Sequence, residues 1–202
     1  MVLARIIETS IQFRTLVARN ATKRIVIHHS ASGPHTTWQN IQDWHLKNGW
    51  AGIGYHYVIH ADGSIYRGRP EDKAGAHAYQ DASHEANSDG IGICLVGNFM
   101  SSQPTSVQIN ALVELIRDIW TRYPGIPVIG HSDVMATSCP GRKFPWAELK
   151  KRLEGGNMAE QWKLDIIKQA RKVGLITEDH NPDEPATKWF VLAVLLNFMR
   201  EA

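Results

Sequence analysis

The sequence predicts a layered α/β (α+β) fold, in which helices cover a central β-sheet. Two observations favour this class. Short β-branched apolar runs alternate along the chain with segments of helical periodicity. The 202 residues are also 43% hydrophobic and 21% charged, a composition typical of a globular protein. Collagen-like, coiled-coil and disordered chains are therefore excluded, and the length suits one domain with a small appendage.

The strands are predicted from apolar, β-branched runs that are bounded by turn residues. The Asp62–Gly63 pair is a strong hairpin signal between two of these runs. The run that ends at Gly130 delivers His131 to its carboxyl end. The five predicted strands are Arg24–His28, Tyr55–His60, Ser64–Arg67, Ile91–Gly97 and Ile126–Gly130.

The helices are predicted from apolar spacing and from terminal signals. Gly49 is a stop signal for a helix over Trp38–Asn48. Thr105 and Gln108 form a capping box at the start of a longer helix. That helix presents one broad apolar face, made by Val107, Ala111, Leu112, Leu115, Ile119 and Trp120. A weak helical pattern covers Ile6–Arg19, and a closing helix covers Trp146–Leu153.

These elements divide the chain into a main domain and two extensions. We expect an N-terminal helical extension over residues 1–22, a main domain over 23–153, a linker over 154–157 and a small helical region over 158–202. The segment Trp189–Met199 is apolar nearly all round, which predicts a buried helix.

Charge and hydropathy restrict the partners. The net charge of +2 is too near balance to indicate a nucleic-acid binder. Residues 1–20 lack the apolar core of a signal peptide, and the longest apolar run, Trp189–Leu196, is too short for a transmembrane segment. We therefore expect synthesis in the cytoplasm without a signal peptide.

Ten histidines stand against two cysteines, which favours a metal site over a disulfide framework. His28 is the last residue of a predicted strand, His131 lies at the carboxyl end of another, and Cys139 lies eight residues after His131. Two imidazoles and a thiolate suit zinc, and catalytic zinc sites commonly use three protein ligands. The alternative is that Cys139 is a small core residue and that the histidines form local hydrogen bonds.

Six strings, in order along the chain, resemble the zinc-dependent N-acetylmuramoyl-L-alanine amidases shared by phage lysins and peptidoglycan recognition proteins. The resemblance covers roughly residues 23–153. The strings are Ile25–Ala31, Gly54–Ile59, Asp62–Gly63, Gly75–Ala78, Ile91–Gly97 and the segment from Gly130–His131 to Cys139–Pro140.

The resemblance implies a mixed β-sheet flanked by helices, with a zinc-lined groove above it. It assigns His28, His131 and Cys139 as ligands of one zinc ion. His29 is the competing ligand in the His28–His29 pair. Successive side chains of a strand point to opposite faces, so only one of the two can face the metal. In the family the first histidine binds, and we therefore expect His29 to pack or hydrogen-bond behind it.

The implied activity is hydrolysis of the amide between N-acetylmuramic acid and L-alanine in peptidoglycan. Tyr55 occupies the position of the family's active-site tyrosine, and its alternative is an aromatic residue packed in a strand. Thr137 stands where several phage members carry lysine and where amidase-active recognition proteins carry threonine. The resemblance therefore implies that Thr137 donates a neutral hydrogen bond beside the oxyanion, and the alternative is a loop-capping role. His77 and Asn87 are expected to bind substrate, although asparagine in a loop is usually turn chemistry.

The resemblance further implies a phage or prophage endolysin that reaches the cell wall after release by a holin. A bacterial wall-recycling amidase and a non-catalytic peptidoglycan- or muropeptide-binding protein are the alternatives. Non-catalytic members typically lose a zinc ligand, and Cys139 is present here. For residues 158–202, wall targeting, packing on the amidase domain and a homodimer interface stay open. We expect Cys94 to be an inert buried thiol.

Overall fold

The structure, a computed structural model, describes residues 4–78 and 85–154. The predicted linker beyond Glu154 and the predicted helical region over residues 158–202 lie outside the described residues, as does His84. Within the described ranges, no helix combines the length and the apolar character that a membrane crossing requires.

A six-stranded mixed sheet forms the centre of the fold, in the order β1-β4-β3-β5-β2-β6. The pairing of β3 with β4 is the predicted antiparallel hairpin, whereas β5 pairs in parallel with both β3 and β2. The short strand β6 lies in parallel on the other side of β2. The strands are β1 (Ile6–Ile7), β2 (Arg24–His29), β3 (Tyr57–Ile59), β4 (Ile65–Arg67), β5 (Gly90–Leu95) and β6 (Val128–Gly130).

Helices flank this sheet, as predicted. Ile41 of the first helix packs against Val58 of β3 and Cys94 of β5. Tyr57 points to the opposite face, where its hydroxyl donates to Glu71, and Glu71 in turn accepts from Arg122 of the third helix at 2.8 Å. The helices are α1 (Trp38–Lys47), α2 (Ala86–Asp89), α3 (Ser106–Arg122) and α4 (Trp146–Glu154), with a 3-10 turn at His131–Asp133.

The start of α3 has the predicted capping box. The Thr105 hydroxyl accepts from the Gln108 main-chain N–H at 3.1 Å, and the Gln108 side chain accepts from the Thr105 N–H at 3.0 Å. The Gln108 amide also donates to the Val96 carbonyl at 2.9 Å, which ties the helix to the end of β5. The predicted apolar face is wrong at Val107, which lies in the first turn of the helix and is 45% exposed.

The N-terminal segment is not the predicted helix. Residues 6–7 form the edge strand β1 against β4, and Ala18 forms an antiparallel bridge with Lys73. The segment between them packs Phe13 against the α1 side of the core, where Gly52 leaves room for its ring. A weak apolar periodicity does not stabilise a helix when the same apolar residues can cover an open sheet edge and the core beside it.

Four histidines accept main-chain N–H groups with a ring nitrogen. Donor-to-acceptor distances are between 2.9 and 3.0 Å, and the pairs are Phe99 to His29, Gly54 to His45, Trp38 to His60 and Gly92 to His56. A nitrogen that accepts cannot also carry a proton, so these rings are neutral. Burial accordingly lowers the pKa of all four rings, to about 4 for His45 and His56.

We expect the metal-free protein to lose stability as the pH falls from 7 to 5. A ring whose folded pKa lies below its unfolded value of 6.5 takes up a proton only after unfolding, so acid favours the unfolded state. His56 alone is expected to remove about 2 kcal/mol of the free energy of unfolding over this window. Urea unfolding at about pH 7 and about pH 5 measures the loss.

The His45→Asn variant provides the test of the acceptor role. Its amide oxygen can replace the acceptor nitrogen without titrating, so the dependence of stability on pH should be smaller than in the unchanged protein. The matched control is His35→Asn at an exposed position, which should keep the full dependence. An unchanged dependence in His45→Asn would contradict the acceptor role.

Candidate metal centre

The carboxyl ends of β2 and β6 bring the three predicted zinc ligands together. His28 lies near the end of β2, between β5 and β6. His131 follows the last residue of β6 and opens the 3-10 turn. Two hydrogen bonds close the following loop: Asp133 accepts from the Gly130 N–H at 2.7 Å, and the Cys139 carbonyl accepts from the Ser132 N–H at 2.9 Å. The loop therefore returns Cys139 to the end of β6.

One potential ligand atom from each of His28, His131 and Cys139 lies within 4.8 Å of the other two. Nδ1 of His28 lies 3.8 Å from Sγ of Cys139. Both residues are buried, with 1% and 8% of their surface exposed, while His131 is partly buried. His28 and Cys139 are 111 residues apart in the sequence, so the fold itself brings His28 to the other two residues.

His29 faces away from this cluster, as expected from the alternation of side chains along β2. Its ring accepts from the Phe99 N–H on the other face of the sheet, at 3.0 Å. Its main chain nevertheless contributes to the site, because the His29 N–H donates to Sγ of Cys139 at 3.4 Å. This N–H is placed to stabilise negative charge on the sulfur.

The charge state of the cluster suits a divalent cation. Burial lowers the pKa of His28, and the proximity of the basic rings of His77 and His131 lowers it further. Burial also lowers the pKa of His131, so both imidazoles are neutral at pH 7 and able to donate a lone pair. Burial raises the pKa of the Cys139 thiol to about 11, partly offset by the His29 N–H.

An orphaned atom supports the same conclusion. Nε2 of His131 is buried and has no hydrogen-bond partner among the described residues. Buried polar atoms without partners are rare and costly in native proteins, and a metal ion is one way to satisfy them. The cluster contains two neutral imidazoles, one of them with an unpartnered nitrogen, and a thiol. These groups fit zinc, which prefers nitrogen and sulfur ligands.

Tyr55 lies beside the cluster, as its predicted role requires. Its ring centroid is 5.2 Å from that of His28, and the residue is partly buried. Burial raises the pKa of the phenol well above its usual value of 10, and the neighbouring Cys94 and Cys139 raise it further. The hydroxyl therefore keeps its proton at neutral pH and is a hydrogen-bond donor.

Thr137 is placed by its hydroxyl oxygen, which accepts from the Cys139 N–H at 3.3 Å. This bond is the loop-capping arrangement, which is the alternative to a catalytic role for Thr137. It uses the oxygen lone pair and leaves the hydroxyl proton available to a further acceptor. The cap and a contact with substrate are thus compatible.

The two predicted substrate-binding residues are turned toward the protein. The His77 ring is only 6% exposed and lies with Nδ1 at 3.0 Å from Nε2 of His28. The Asn87 side chain accepts from the N–H groups of His77 and Ala78, at 2.8 and 3.0 Å, and donates to the Ala78 carbonyl. The structure therefore does not place these polar atoms on an open wall. Sequence reasoning missed the contact between His77 and His28 because the two residues are 49 positions apart in the sequence.

Comparisons with known proteins agree with this fold. Residues 18–142 match the N-acetylmuramoyl-L-alanine amidase family. Peptidoglycan-recognition protein SC2 of Drosophila melanogaster is 38% identical over 136 residues, which are 62% of this chain and 71% of that protein. The endolysin of Klebsiella phage KP32 is 33% identical over 129 residues, 60% of this chain and 82% of the relative.

Solved structures show the same architecture. The endolysin amidase LysCS from Clostridium intestinale has a TM-score of 0.69 and 37% identity, covering 75% of this chain and 97% of its own. A mutant of Drosophila PGRP-LB in complex with tracheal cytotoxin has a TM-score of 0.63 and 29% identity, with coverages of 73% and 94%.

The mixed sheet and the cluster at its carboxyl edge thus define a peptidoglycan amidase. The chain belongs to the N-acetylmuramoyl-L-alanine amidase family. Its activity is hydrolysis of the peptidoglycan amide that joins N-acetylmuramic acid to L-alanine.

The affinity of the cluster for zinc should rise about tenfold from pH 6 to pH 7. Binding displaces the thiol proton of Cys139, whose pKa lies well above this window, whereas both imidazoles are already neutral because their pKa values are lowered. One proton is therefore released per zinc ion. Competition with a chromophoric chelator at both pH values measures the affinity.

A matched variant isolates the thiol in this measurement. Cys139→Ala should bind zinc more weakly and show little dependence on pH. A hundredfold or greater rise in the unchanged protein would contradict the prediction, because it would show that the imidazoles also release protons in this window.

Proposed function

We propose that this amidase uses one zinc ion held by His28, His131 and Cys139. The observation that carries the proposal is the convergence of the three ligand atoms within 4.8 Å, together with the unpartnered Nε2 of His131. A zinc ion in such a site supplies Lewis acidity, which lowers the pKa of bound water and polarises a carbonyl group.

We assign Tyr55 as the residue that stabilises the developing oxyanion. Its ring lies against His28, and its phenol stays protonated because burial raises its pKa. A neutral donor that is fixed before the reaction loses little energy to reorganisation when the carbonyl oxygen becomes negative. Its low acidity argues against a role as general base at neutral pH.

We assign Thr137 as a second, weaker hydrogen-bond donor at the same site. Its oxygen caps the loop at the Cys139 N–H, and its proton is free to donate to the substrate. A neutral donor is roughly half as strong as a charged one, so we expect Thr137 to contribute less than a lysine would at this position. The cap would also hold Cys139 in place, which couples the hydroxyl to the ligand geometry.

We further propose that the protein acts as a phage or prophage endolysin on peptidoglycan, released from the cytoplasm through a holin. Support comes from the relatives named endolysin, among them those of Klebsiella phage KP32 and Escherichia phage T7. The relatives named peptidoglycan-recognition protein share the scaffold, and the presence of Cys139 favours catalysis over binding alone.

Hydrolysis of peptidoglycan should depend on zinc and should produce one kind of new chain end. We expect new L-alanine amino termini when purified peptidoglycan is digested, and we expect them to disappear with a chelator and to return with added zinc. Cys139→Ala should lose activity because one ligand is missing. New reducing sugar ends without amino termini would instead indicate a glycosidase.

The Tyr55→Phe variant should reduce kcat about 100-fold while retaining zinc, because it removes one oxyanion donor and leaves the ligands unchanged. Turnover of soluble muropeptides and metal content after gel filtration measure the two quantities. The exposed His35→Phe serves as a control for an added phenylalanine and should keep full turnover. Full turnover in Tyr55→Phe would exclude the phenol from the mechanism.

A further inference from the structure

The His77 ring occupies a space that two glycines leave open. A Cβ atom added to Gly75 would lie 2.4 Å from Cδ2 of His77, and one added to Gly92 would lie 2.3 Å from the same atom. Such approaches do not occur without displacement, so any other residue at either position would push the ring away. The space behind His28 is thus shaped for an imidazole at position 77.

The main chain that carries this ring is also fixed. Both polar atoms of the Asn87 side chain bind the main chain of residues 77 and 78, and the Asn87 carbonyl accepts from the Gly75 N–H at 2.8 Å. Asn87 therefore holds both ends of the Gly75–Ala78 segment. Position 77 is set by the helix α2 that carries Asn87 rather than by a free loop.

His28 uses its two ring nitrogens on two sides. Nδ1 lies 3.8 Å from Sγ of Cys139, and Nε2 lies 3.0 Å from Nδ1 of His77. The rings of His28 and His77 meet edge to face, with centroids 4.9 Å apart. One nitrogen of His28 thus faces the proposed metal, while the other has a buried histidine as its partner.

Two proton arrangements are available to this pair of neutral rings. In the first, Nε2 of His28 carries the proton and donates it to Nδ1 of His77, which leaves Nδ1 of His28 free to bind a metal. In the second, Nδ1 of His77 is the donor, and the proton of His28 then sits on Nδ1, where it blocks a metal. Burial lowers the pKa of His77 well below its ordinary value, so the ring is neutral and carries a single proton. Only the first arrangement, with that proton on Nε2 of His77, leaves Nδ1 of His28 beside Sγ of Cys139 able to bind a metal.

We propose that His77 is a positioning residue for the metal centre: its Nδ1 accepts the Nε2–H of His28 and holds the His28 ring with a free Nδ1 turned toward Cys139. The inference rests on the proposed zinc site. Partners of this kind set the tautomer and orientation of a ligating histidine, and their loss typically weakens metal binding about 10- to 100-fold. His77 would thereby act on the reaction through His28 rather than by touching substrate.

A matched pair of variants tests this role. Asn and Leu have the same branching and nearly the same volume, but only Asn has an oxygen at the position of the histidine Nδ1. We expect His77→Leu to weaken zinc binding about 10- to 100-fold in competition with a chromophoric chelator, and His77→Asn to recover most of that loss. With cobalt in place of zinc, the thiolate charge-transfer absorption should change in His77→Leu and be restored in His77→Asn.

Several outcomes would overturn the inference. Unchanged zinc affinity in His77→Leu, with a raised KM for soluble muropeptides, would show that His77 binds substrate instead. Equal losses of affinity in both variants would show a structural role without a specific hydrogen bond. If the unchanged protein binds no zinc, the proposed zinc site fails together with this inference. If the unchanged protein binds zinc and only the His77 variants behave unexpectedly, the inference alone fails.

A measurement on the unchanged protein covers the case in which His77→Leu does not fold. Nitrogen-15 NMR of the zinc-loaded protein reports which ring nitrogens carry protons. We expect His28 to be protonated at Nε2 and bound to zinc through Nδ1, and His77 to be protonated at Nε2. A proton on Nδ1 of His77, or zinc bound through Nε2 of His28, would overturn the proposal.

Discussion

The site depends on the burial of the His28 imidazole between two partners. With 1% of its surface exposed, the ring cannot carry a charge at low cost, and each of its nitrogens needs a partner inside the protein. The fold provides one from the Gly75–Ala78 segment and one from the loop that ends at Cys139. The β2 strand, the two glycines beside His77 and the loop after β6 all contribute to this one arrangement.

Histidine has three separate uses in this molecule. His28 and His131 offer lone pairs at the cluster, and His77 lies behind one of them. The other group, His29, His45, His56 and His60, accepts main-chain N–H groups from loops and strands. All three uses require a neutral ring, and burial, which lowers the pKa in each case, maintains it. A histidine count in a sequence therefore overstates the number of metal ligands.

The sequence alone predicts those structural features whose pattern lies within a few neighbouring residues. The hairpin at Asp62–Gly63 and the Thr105–Gln108 capping box each follow from residues within a few positions of one another, and the structure confirms both. The convergence of His28, His131 and Cys139 was predictable only because a family resemblance joined distant segments. The edge strand β1 was missed because its partner β4 lies almost 60 residues away in the sequence. The enclosure of His77 was missed because it depends on the space that Gly92 leaves in β5.

The sequence separation within the cluster has a consequence for the folded chain as a whole. His28 and Cys139 are 111 residues apart, and both termini of the long intervening segment meet at the cluster. An ion that binds both side chains is a cross-link. If the ion stays bound when the chain unfolds, it reduces the conformational entropy of the unfolded state. In the chain-entropy description, a covalent link that closes a loop of about 100 residues is worth about 4.7 kcal/mol. The three side chains proposed to hold zinc would then also act as a reversible cross-link, so that protection against heat and proteases would rise and fall with the supply of metal.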